Sequence, residues 1–294
     1  MRMKHGAGDT IFAVANTTLM LLLVTVTLYP LLYVAFASFS NPTLLMQHRG
    51  ILWRPLEFTI RAYEIVLANP MIAIGYRNTL AYVVFGTALN LLMTCLGAYG
   101  LSRRGLMLKR PLMLLITFTM FFGGGLIPTY LLVAKTLNMH NSPWALIIPG
   151  AINTWNLIIM RTAFESVPVA LEEAARIDGA NDLVILVKVV LPLSLPVIAV
   201  MILFYAVAHW NSWFPAAIYL RTRTLYPLQI ILREILIANS IDDMMLSISR
   251  TEHERMSEAV KYATTMVATV PILCVYPFLQ RYFVKGVMIG AIKE

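Results

Sequence analysis

The chain has 294 residues, of which 59% are hydrophobic and 13% are charged, and its formal net charge is +8. Soluble globular proteins carry about 25% charged residues, so this composition excludes an ordinary soluble domain and indicates a multi-pass membrane protein. No basic stripe lies in polar surroundings, which argues against nucleic-acid binding and assigns the positive charge to the flanks of membrane spans.

Six stretches lack Asp, Glu, Lys and Arg over a length that can cross a bilayer. In hydrocarbon every backbone amide must be satisfied within its own segment, so these stretches are predicted to be helices. Pro30, Pro149 and Pro277 fall inside spans and are expected to bend them. The predicted spans cover about residues 11–39, 78–101, 111–134, 136–160, 196–220 and 262–280. The sequence therefore predicts an all-α membrane protein in which residues 1–294 form one domain with six transmembrane helices.

The first apolar stretch is predicted to remain in the mature protein. Arg2 and Lys4 precede it, but it runs far beyond the apolar core of a signal peptide and lacks a clear small-residue cleavage site. Cys95 and Cys274 lie inside apolar runs, where packed thiols are expected rather than a disulfide or a metal site.

The basic residues of the loops indicate their side of the membrane. The short loop at residues 102–111 has four basic residues and no acid, which marks it as cytoplasmic. Both termini and the loop between the fourth and fifth spans then lie in the cytoplasm as well. Basic residues near Arg54 and Arg233 in the longer loops nearly cancel this signal, but long loops cross the membrane largely regardless of charge.

The two longer segments on the other side carry helical patterns of their own. Residues 40–77 predict a short helix around residues 62–68, and residues 221–261 include TEHERMSEAVKYA at helical spacing. The third span contains the run Gly123, Gly124 and Gly125, followed by Pro128. Because consecutive glycines weaken a helix, this run is a candidate gate, and close helix packing is the alternative.

The loop at residues 164–195 is charged and lies between apolar runs. Ser166–Pro168 favours a helix start, because proline is tolerated in a first helical turn. Glu172 and Glu173 fall in or near that turn, where the helix dipole favours acids. Gly179 predicts the end of this helix, because glycine accepts the left-handed conformation cheaply.

A second short helix is predicted after this glycine, with Asn181 or Asp182 as its cap and Pro192 as its disruption. The small residues at the bend would let it press into a groove on another protein, where Glu173 would pair with a basic residue. Leu191 and Leu195 would anchor the unit on the membrane helices. An amphipathic loop with no partner is the alternative. The predicted contact residues are Glu172, Glu173, Ala174, Ala175, Asp178, Gly179, Leu191 and Pro192.

This loop resembles the EAA loop of binding-protein-dependent ATP-binding-cassette (ABC) importers, through which a permease meets its ATPase. The signature Glu-Ala-Ala, three residues, Gly, nine residues, Ile, one residue, Leu-Pro is met from Glu173 to Pro192, with Val189 in place of isoleucine. Residues 121–131, 210–214 and 280–294 are similar to the LplB/YtcP-like, maltose-type carbohydrate permeases. The resemblance covers nearly the whole chain.

The resemblance implies a type I ABC importer permease in the bacterial inner membrane. Its partners would be a second permease, two ATPase subunits and an extracytoplasmic solute-binding protein. The implied cargo is an oligosaccharide, either alginate or another acidic uronide, with a neutral sugar as the alternative. ATP and Mg would bind the ATPase subunits, since this chain has no phosphate-binding GxxxxGK[ST] loop, catalytic constellation or metal-ligand set. Closure of the ATPase pair would move the loop and turn the membrane cavity outward.

In this family resemblance Glu173 is the carboxylate that pairs with the ATPase. The tail from Lys285 to Glu294 would reach between the ATPase subunits, with Gly286 and Gly290 permitting a flexible approach. A disordered tail is the alternative.

Aromatic and polar residues in or near the spans are candidates for a sugar path, because sugars stack on aromatic faces and bind polar groups through their hydroxyls. Tyr205, His209 and Trp213 recur at helical spacing and are predicted to share one face. An interfacial aromatic belt is the alternative. His209 is a lone histidine within a span and is expected to be packed or to line a cavity, with a ligand or proton relay as the alternative. For an acidic cargo, Lys135, Arg161 and Arg221 are basic candidates or plain interface anchors. The path candidates are Asn153, Trp155, Asn156, Tyr205, His209, Trp210, Asn211 and Trp213.

Two other functions remain as rivals. An ion-coupled secondary carrier would need carboxylates inside the spans, and the six runs contain none. A membrane scaffold without a transport role fits the composition, but it gives no reason for the spacing of the EAA-like loop.

Overall fold

The computed structural model describes residues 7–245 and 251–291, with the side chains of residues 7, 238–245, 251–255, 276 and 278–291 left out. The described residues form helices, turns and loops without a strand, which confirms the predicted all-α class. Short π-helical turns at Leu132–Thr136 and Leu186–Val190 and a 3-10 turn at Arg223–Leu225 accompany the α-helices. These are α1 (Ala7–Ser38), α2 (Pro42–Gln47), α3 (Arg61–Ala68), α4 (Pro70–Ser102), α5 (Lys109–Phe121), α6 (Leu126–Leu131), α7 (Trp144–Ile147), α8 (Thr154–Glu165), α9 (Val169–Ile177), α10 (Asp182–Ile185), α11 (Leu191–Leu193), α12 (Leu195–Trp210), α13 (Phe214–Tyr219), α14 (Leu228–Met245) and α15 (Thr251–Ala291).

Several helices can cross a membrane by length and composition. Among the described residues, three single stretches qualify: Gly8–Ser38, Pro70–Ser102 and Met256–Val275. Two further pairs qualify when each bent pair counts as one span, Lys109–Phe121 with Leu126–Thr136 and Asp182–Leu193 with Leu195–Trp210. The short helix predicted at residues 62–68 and the helix predicted before residue 262 are both present, as α3 and the start of α15.

The third predicted span breaks at its glycines, as the sequence indicates. Helix α5 ends at Phe121, α6 begins at Leu126, and the two meet at 108°. Gly125 has a φ of +82°, a left-handed value that side chains with a Cβ seldom adopt. The break is therefore part of the fold, and its use as a gate stays a prediction.

The fourth predicted span, residues 136–160, is not one helix. It is divided between α7 and α8, and Pro149 and Gly150 lie in the break. The Asn153 side chain starts α8 by accepting a hydrogen bond from the backbone N–H of Asn156 at 3.1 Å. The prediction of one helix was wrong here, because it took Pro149 only as a bend and gave no weight to the capping side chain of Asn153.

Residues 70–231 and 270–294 form one compact unit, in which α4 packs against α8 and α12. A core cluster of this unit joins these three helices to the π-helical turn after α10. Cys95 is buried in this cluster as predicted, whereas Cys274 is exposed and therefore not packed against its own chain. The buried members of the cluster are Cys95, Ala98, Tyr99, Leu157, Met160, Phe164, Val167, Ile185, Leu186, Val190, Met201 and Tyr205.

Residues 1–69 and 232–269 form a second compact unit. Its small core contains Ala37, Leu45 and Leu52, with Tyr33 and Tyr262 packed against them. Polar groups near this core are satisfied internally, since the hydroxyls of Ser38 and Tyr63 bond to each other at 2.8 Å. Burial raises the pKa of the Tyr63 hydroxyl.

Candidate functional site

The charged loop folds as the predicted pair of helices with a sharp bend. Helix α9 ends before Gly179, whose φ of +82° turns the chain away. The Asn181 side chain then accepts a hydrogen bond from the backbone N–H of Val184 at 2.9 Å and caps α10. We call residues 169–193 the helical elbow.

The second half of the elbow is anchored in the apolar core. Ile185, Leu186 and Val190 are buried against the membrane helices, and the helical stretch ends after Pro192 with an 87° bend into α12. Leu191 packs partly against the same core, as predicted. The prediction for Leu195 was wrong, because its side chain is 60% exposed.

The first half of the elbow is mostly open. Glu173 and Ala174 are exposed, and Glu172 is the one buried residue of α9. Large apolar side chains also face outward on both sides of the bend, with Ile177 at 87% exposure. An exposed apolar patch with a carboxylate beside it is typical of an interaction surface. Its apolar members were not predicted from the sequence; they are Leu171, Ile177, Leu183 and Val187.

Glu172 is placed differently from its predicted role as an outward contact. Its buried carboxylate forms an ion pair with the half-buried Arg103, the residue that follows α4. Arg103 is held in turn by Ser102, whose hydroxyl accepts a hydrogen bond from Nη2 at 2.8 Å, and its guanidinium lies 4.3 Å from the centre of the Tyr99 ring. Glu172 therefore joins the elbow to α4, while Glu173 remains free to meet a partner.

A second ion-pair cluster lies at the end of α8. The Glu165 carboxylate accepts hydrogen bonds from Lys109 and Arg161, each at 2.6 Å. Partial burial alone would raise the pKa of Glu165, but these two cations outweigh it and hold the pKa below its ordinary value of 4.5. Arg161, a basic candidate for the substrate path, is thus engaged in this cluster.

A cavity of about 1160 Å³ lies within the unit formed by residues 70–231 and 270–294. Helices α4, α8, α12 and α15 all contribute to its wall. None of its described lining residues is Asp, Glu, Lys or Arg. Seven of the eight predicted path residues line it: Asn153, Trp155, Asn156, Tyr205, His209, Trp210 and Asn211.

Two polar side chains of the cavity wall, His209 and Asn90, are fixed by hydrogen bonds. His209 Nε2 lies 2.7 Å from Asn90 Oδ1, and the Asn90 amide donates to the carbonyl of Gly150 at 2.5 Å. Because the amide of Asn90 is oriented by Gly150, its oxygen faces His209 and requires Nε2 to carry the proton. His209 is therefore both packed, as expected, and part of the cavity wall.

Close packing at Gly86 makes this arrangement possible. A Cβ at this position would overlap the His209 ring. Neither Gly86 nor Asn90 was predicted from the sequence to take part in a site. An asparagine inside an apolar helix was the available signal, since polar side chains within a membrane are costly unless they serve a contact.

Several predicted path and gate residues lie elsewhere. Helix α12 ends at Trp210, so Trp213 does not extend the face of Tyr205 and His209, and its ring packs against Phe214. Tyr205 lines the cavity, but its hydroxyl is engaged with Thr94 at 2.7 Å. The remaining predicted residues that are absent from the cavity wall are Gly123, Gly124, Gly125, Pro128, Lys135 and Arg221.

The predicted C-terminal contact cannot be placed in a site. The backbone at Lys285, Gly286 and Gly290 continues helix α15, but the side chains there lie outside the described residues, as do residues 292–294. Its role stays a prediction.

Comparison with known proteins gives one consistent result. Residues 94–289 match the family model described as "Binding-protein-dependent transport system inner membrane component". The polygalacturonan/rhamnogalacturonan transport system permease protein YtcP of Bacillus subtilis is 43% identical over 264 residues, covering 90% of this chain and 92% of the relative. Protein LplC of the same organism is 38% identical over 297 residues, covering 99% and 98%.

A solved structure is also similar. A chain from the crystal structure of a bacterial ABC transporter involved in the import of the acidic polysaccharide alginate superimposes with a TM-score of 0.83 at 34% identity. The match covers 95% of this chain and 99% of that chain. The similarity thus extends over whole chains.

Proposed function

The chain belongs to the family of inner membrane components of binding-protein-dependent transport systems, and we propose that it is the permease subunit of an ATP-driven oligosaccharide importer. As a multi-pass membrane component it contributes the path and the coupling surface, and ATP hydrolysis takes place on separate subunits. The single observation that carries this proposal is the exposed elbow, which presents an acid, small residues and apolar side chains on one connected loop.

The elbow is the proposed docking site for an ATPase subunit. Glu173 would pair with a basic residue of the ATPase, while the small side chains around Ala174 would permit close approach. The exposed Ile177 would fill an apolar pocket beside it. The bend at Gly179 would let both halves of the elbow enter one groove.

The assembly would contain a second permease, two ATPase subunits that bind ATP and Mg, and an extracytoplasmic binding protein. ATP binding would close the ATPase pair and displace the elbow. That displacement would open the cavity toward the binding protein, and hydrolysis would reset it. The proposed topology places the elbow, the loop at residues 102–111 and both termini in the cytoplasm.

The proposed cargo is an acidic uronide oligosaccharide. Support comes from two relatives, since one is named for polygalacturonan and rhamnogalacturonan transport and the other belongs to a transporter of alginate. In the cavity, Trp155 would stack on a sugar ring and Asn153 and Asn156 would bind hydroxyls. Because the described cavity wall carries no cationic side chain, the carboxylates of the cargo would find their counter-charge on another subunit.

Reconstitution tests the proposal. The four-subunit membrane complex with its binding protein is placed in liposomes, and ATP turnover and uptake are measured with oligogalacturonate, alginate oligosaccharide and maltodextrin. Stimulation by an acidic oligosaccharide is expected. Stimulation by maltodextrin alone would show that the cargo is a neutral sugar. Uptake driven by an ion gradient without ATP would contradict the proposal of an ATP-driven importer.

A further inference from the structure

Helix α9 is attached to the rest of its unit in an unusual way. Its one buried residue is Glu172, which is charged, and the remaining residues of α9 are exposed or half-buried. Helices α10 and α11 differ, because the turn between them is held by the buried apolar residues Leu186 and Val190. The ion pair of Glu172 is therefore the buried polar attachment of α9, beside the partial packing of Ala175 against the core.

The partner of Glu172 is itself immobilised. Arg103 Nη1 forms the ion pair, while Nε donates to the carbonyl of Tyr99 at 3.3 Å and Nη2 donates to the Ser102 hydroxyl at 2.8 Å. The guanidinium also stacks over the Tyr99 ring, and these contacts all belong to the last turn of α4. An arginine at a helix C-terminus is further stabilised by the helix dipole. Arg103 is thus a fixed extension of α4.

Helix α4 also reaches the cavity. Its residues Tyr76, Leu80, Val83 and Asn90 line the cavity wall, and Asn90 holds His209 of α12. From Asn90 to Ser102 the helix advances about 18 Å at 1.5 Å per residue. A displacement of Arg103 is therefore transmitted along one continuous helix to a hydrogen bond in the cavity wall.

We propose that the Arg103–Glu172 ion pair is the link that passes movement of the elbow to α4 and so to the cavity. Both are positioning residues, since neither lines the cavity and neither lies on the exposed face of the elbow. The inference rests on the proposed function, because it assumes that an ATPase moves the elbow. It assigns the internal transmission to Glu172 and leaves the external contact to Glu173.

The test uses the complete reconstituted complex with its binding protein. Glu172→Gln removes the charge and keeps the size of the side chain. We expect the ATPase to stay associated and to hydrolyse ATP, while oligosaccharide imported per ATP falls at least about tenfold, because the half-buried Arg103 loses its partner. Lys109→Gln is the matched control, since it breaks an ion pair of the neighbouring cluster that does not involve α9. Its ratio of import to ATP should equal that of the wild type.

Exchange of the two charges separates a link from a general structural role. Arg103→Glu combined with Glu172→Arg should restore most of the ratio that either single change removes. Arg103→Lys should be intermediate, because lysine keeps the charge but loses the fork of donors and the stacking on Tyr99.

Two outcomes overturn the inference while leaving the importer intact: an unchanged ratio in Glu172→Gln, or an exchange variant no better than its single changes. If Glu172→Gln is not recovered from membranes, the exchange variant decides alone. Its recovery with normal import supports the inference, and the absence of either overturns it. A wild-type complex that imports no saccharide would instead remove the proposed function, and this inference with it.

Discussion

The elbow and the cavity differ in how their side chains are exposed and held. The elbow leaves an acid and several apolar side chains exposed, whereas part of the cavity wall is ordered by internal hydrogen bonds, such as the one between His209 and Asn90. An exposed surface of this kind requires a partner, and an ordered wall of this kind provides a fixed shape. Changes in the elbow should therefore alter coupling to ATP, and changes in the cavity should alter handling of the cargo.

The largest effect is expected from Glu173→Lys, which reverses the charge at the centre of the exposed surface. Loss of a charged interface contact costs about 2–5 kcal/mol, so transport should fall by more than about 30-fold, with membrane insertion unchanged. Co-purification of the ATPase with the tagged permease measures the loss of association. Glu64→Lys, on an exposed acid of α3, is the matched control and should co-purify normally. Normal ATPase association of Glu173→Lys would contradict the assignment of the elbow as the docking surface.

Gly86→Ala should have the next largest effect, and it acts on the cavity. The added methyl overlaps His209, and overpacking of this kind costs about 1–3 kcal/mol. Gly100→Ala on the same helix is the control, because its methyl meets no atom within 4 Å and alanine favours a helix. The temperature of thermal unfolding and the rate of uptake should both be lower in Gly86→Ala and unchanged in Gly100→Ala. Equal behaviour of the two variants would contradict the packing described at His209.

Trp155→Ala tests whether the cavity binds the cargo. Trp155 lines the cavity and is 60% exposed, so its removal should raise the KM for oligosaccharide by about tenfold through loss of ring stacking. Association with the ATPase should be unchanged. Trp144→Ala removes a similarly exposed tryptophan outside the cavity wall and should leave the KM unaltered. A changed ATPase association with an unchanged KM would reverse the assignment of the two regions.

The smallest effect is expected from the ion-pair cluster around Glu165, which belongs to neither function. The pKa of Glu165 in the folded protein lies below 4.5, so its pairing stabilises the fold above that pH and is lost as the pH falls through the folded pKa. Exposed pairs contribute little, and Glu165→Gln should lower the Tm by about 2 °C at pH 7. The difference should vanish at acidic pH.

Local features of the molecule could be predicted from the sequence, and features assembled across the chain could not. The bend at Gly179 and the cap at Asn181 depend on backbone preferences of a few adjacent residues. The break in the third span follows from its glycines in the same way. These elements match the structure because no distant contact overrides the local preference.

Other features depend on residues far apart in the chain. Glu172 and Glu173 are adjacent acids, and only the position of Arg103, 69 residues earlier, separates an internal link from an external contact. Similarly, the helical spacing of Trp213 suggested a shared face, but the helix ends at Trp210. Asn90 gained its role from α12 and from the break at Gly150, which no local pattern contains.

Site-specific cross-linking tests most directly whether the elbow docks on a separate ATPase. A photoreactive benzoylphenylalanine is placed at Ile177, which is 87% exposed, and at Trp53, which is 70% exposed in the loop predicted to be external. After irradiation of the assembled complex, the account predicts a covalent adduct with the ATPase from position 177 and none from position 53. An adduct from position 53, or no ATPase adduct from position 177 in a complex that transports, would contradict it.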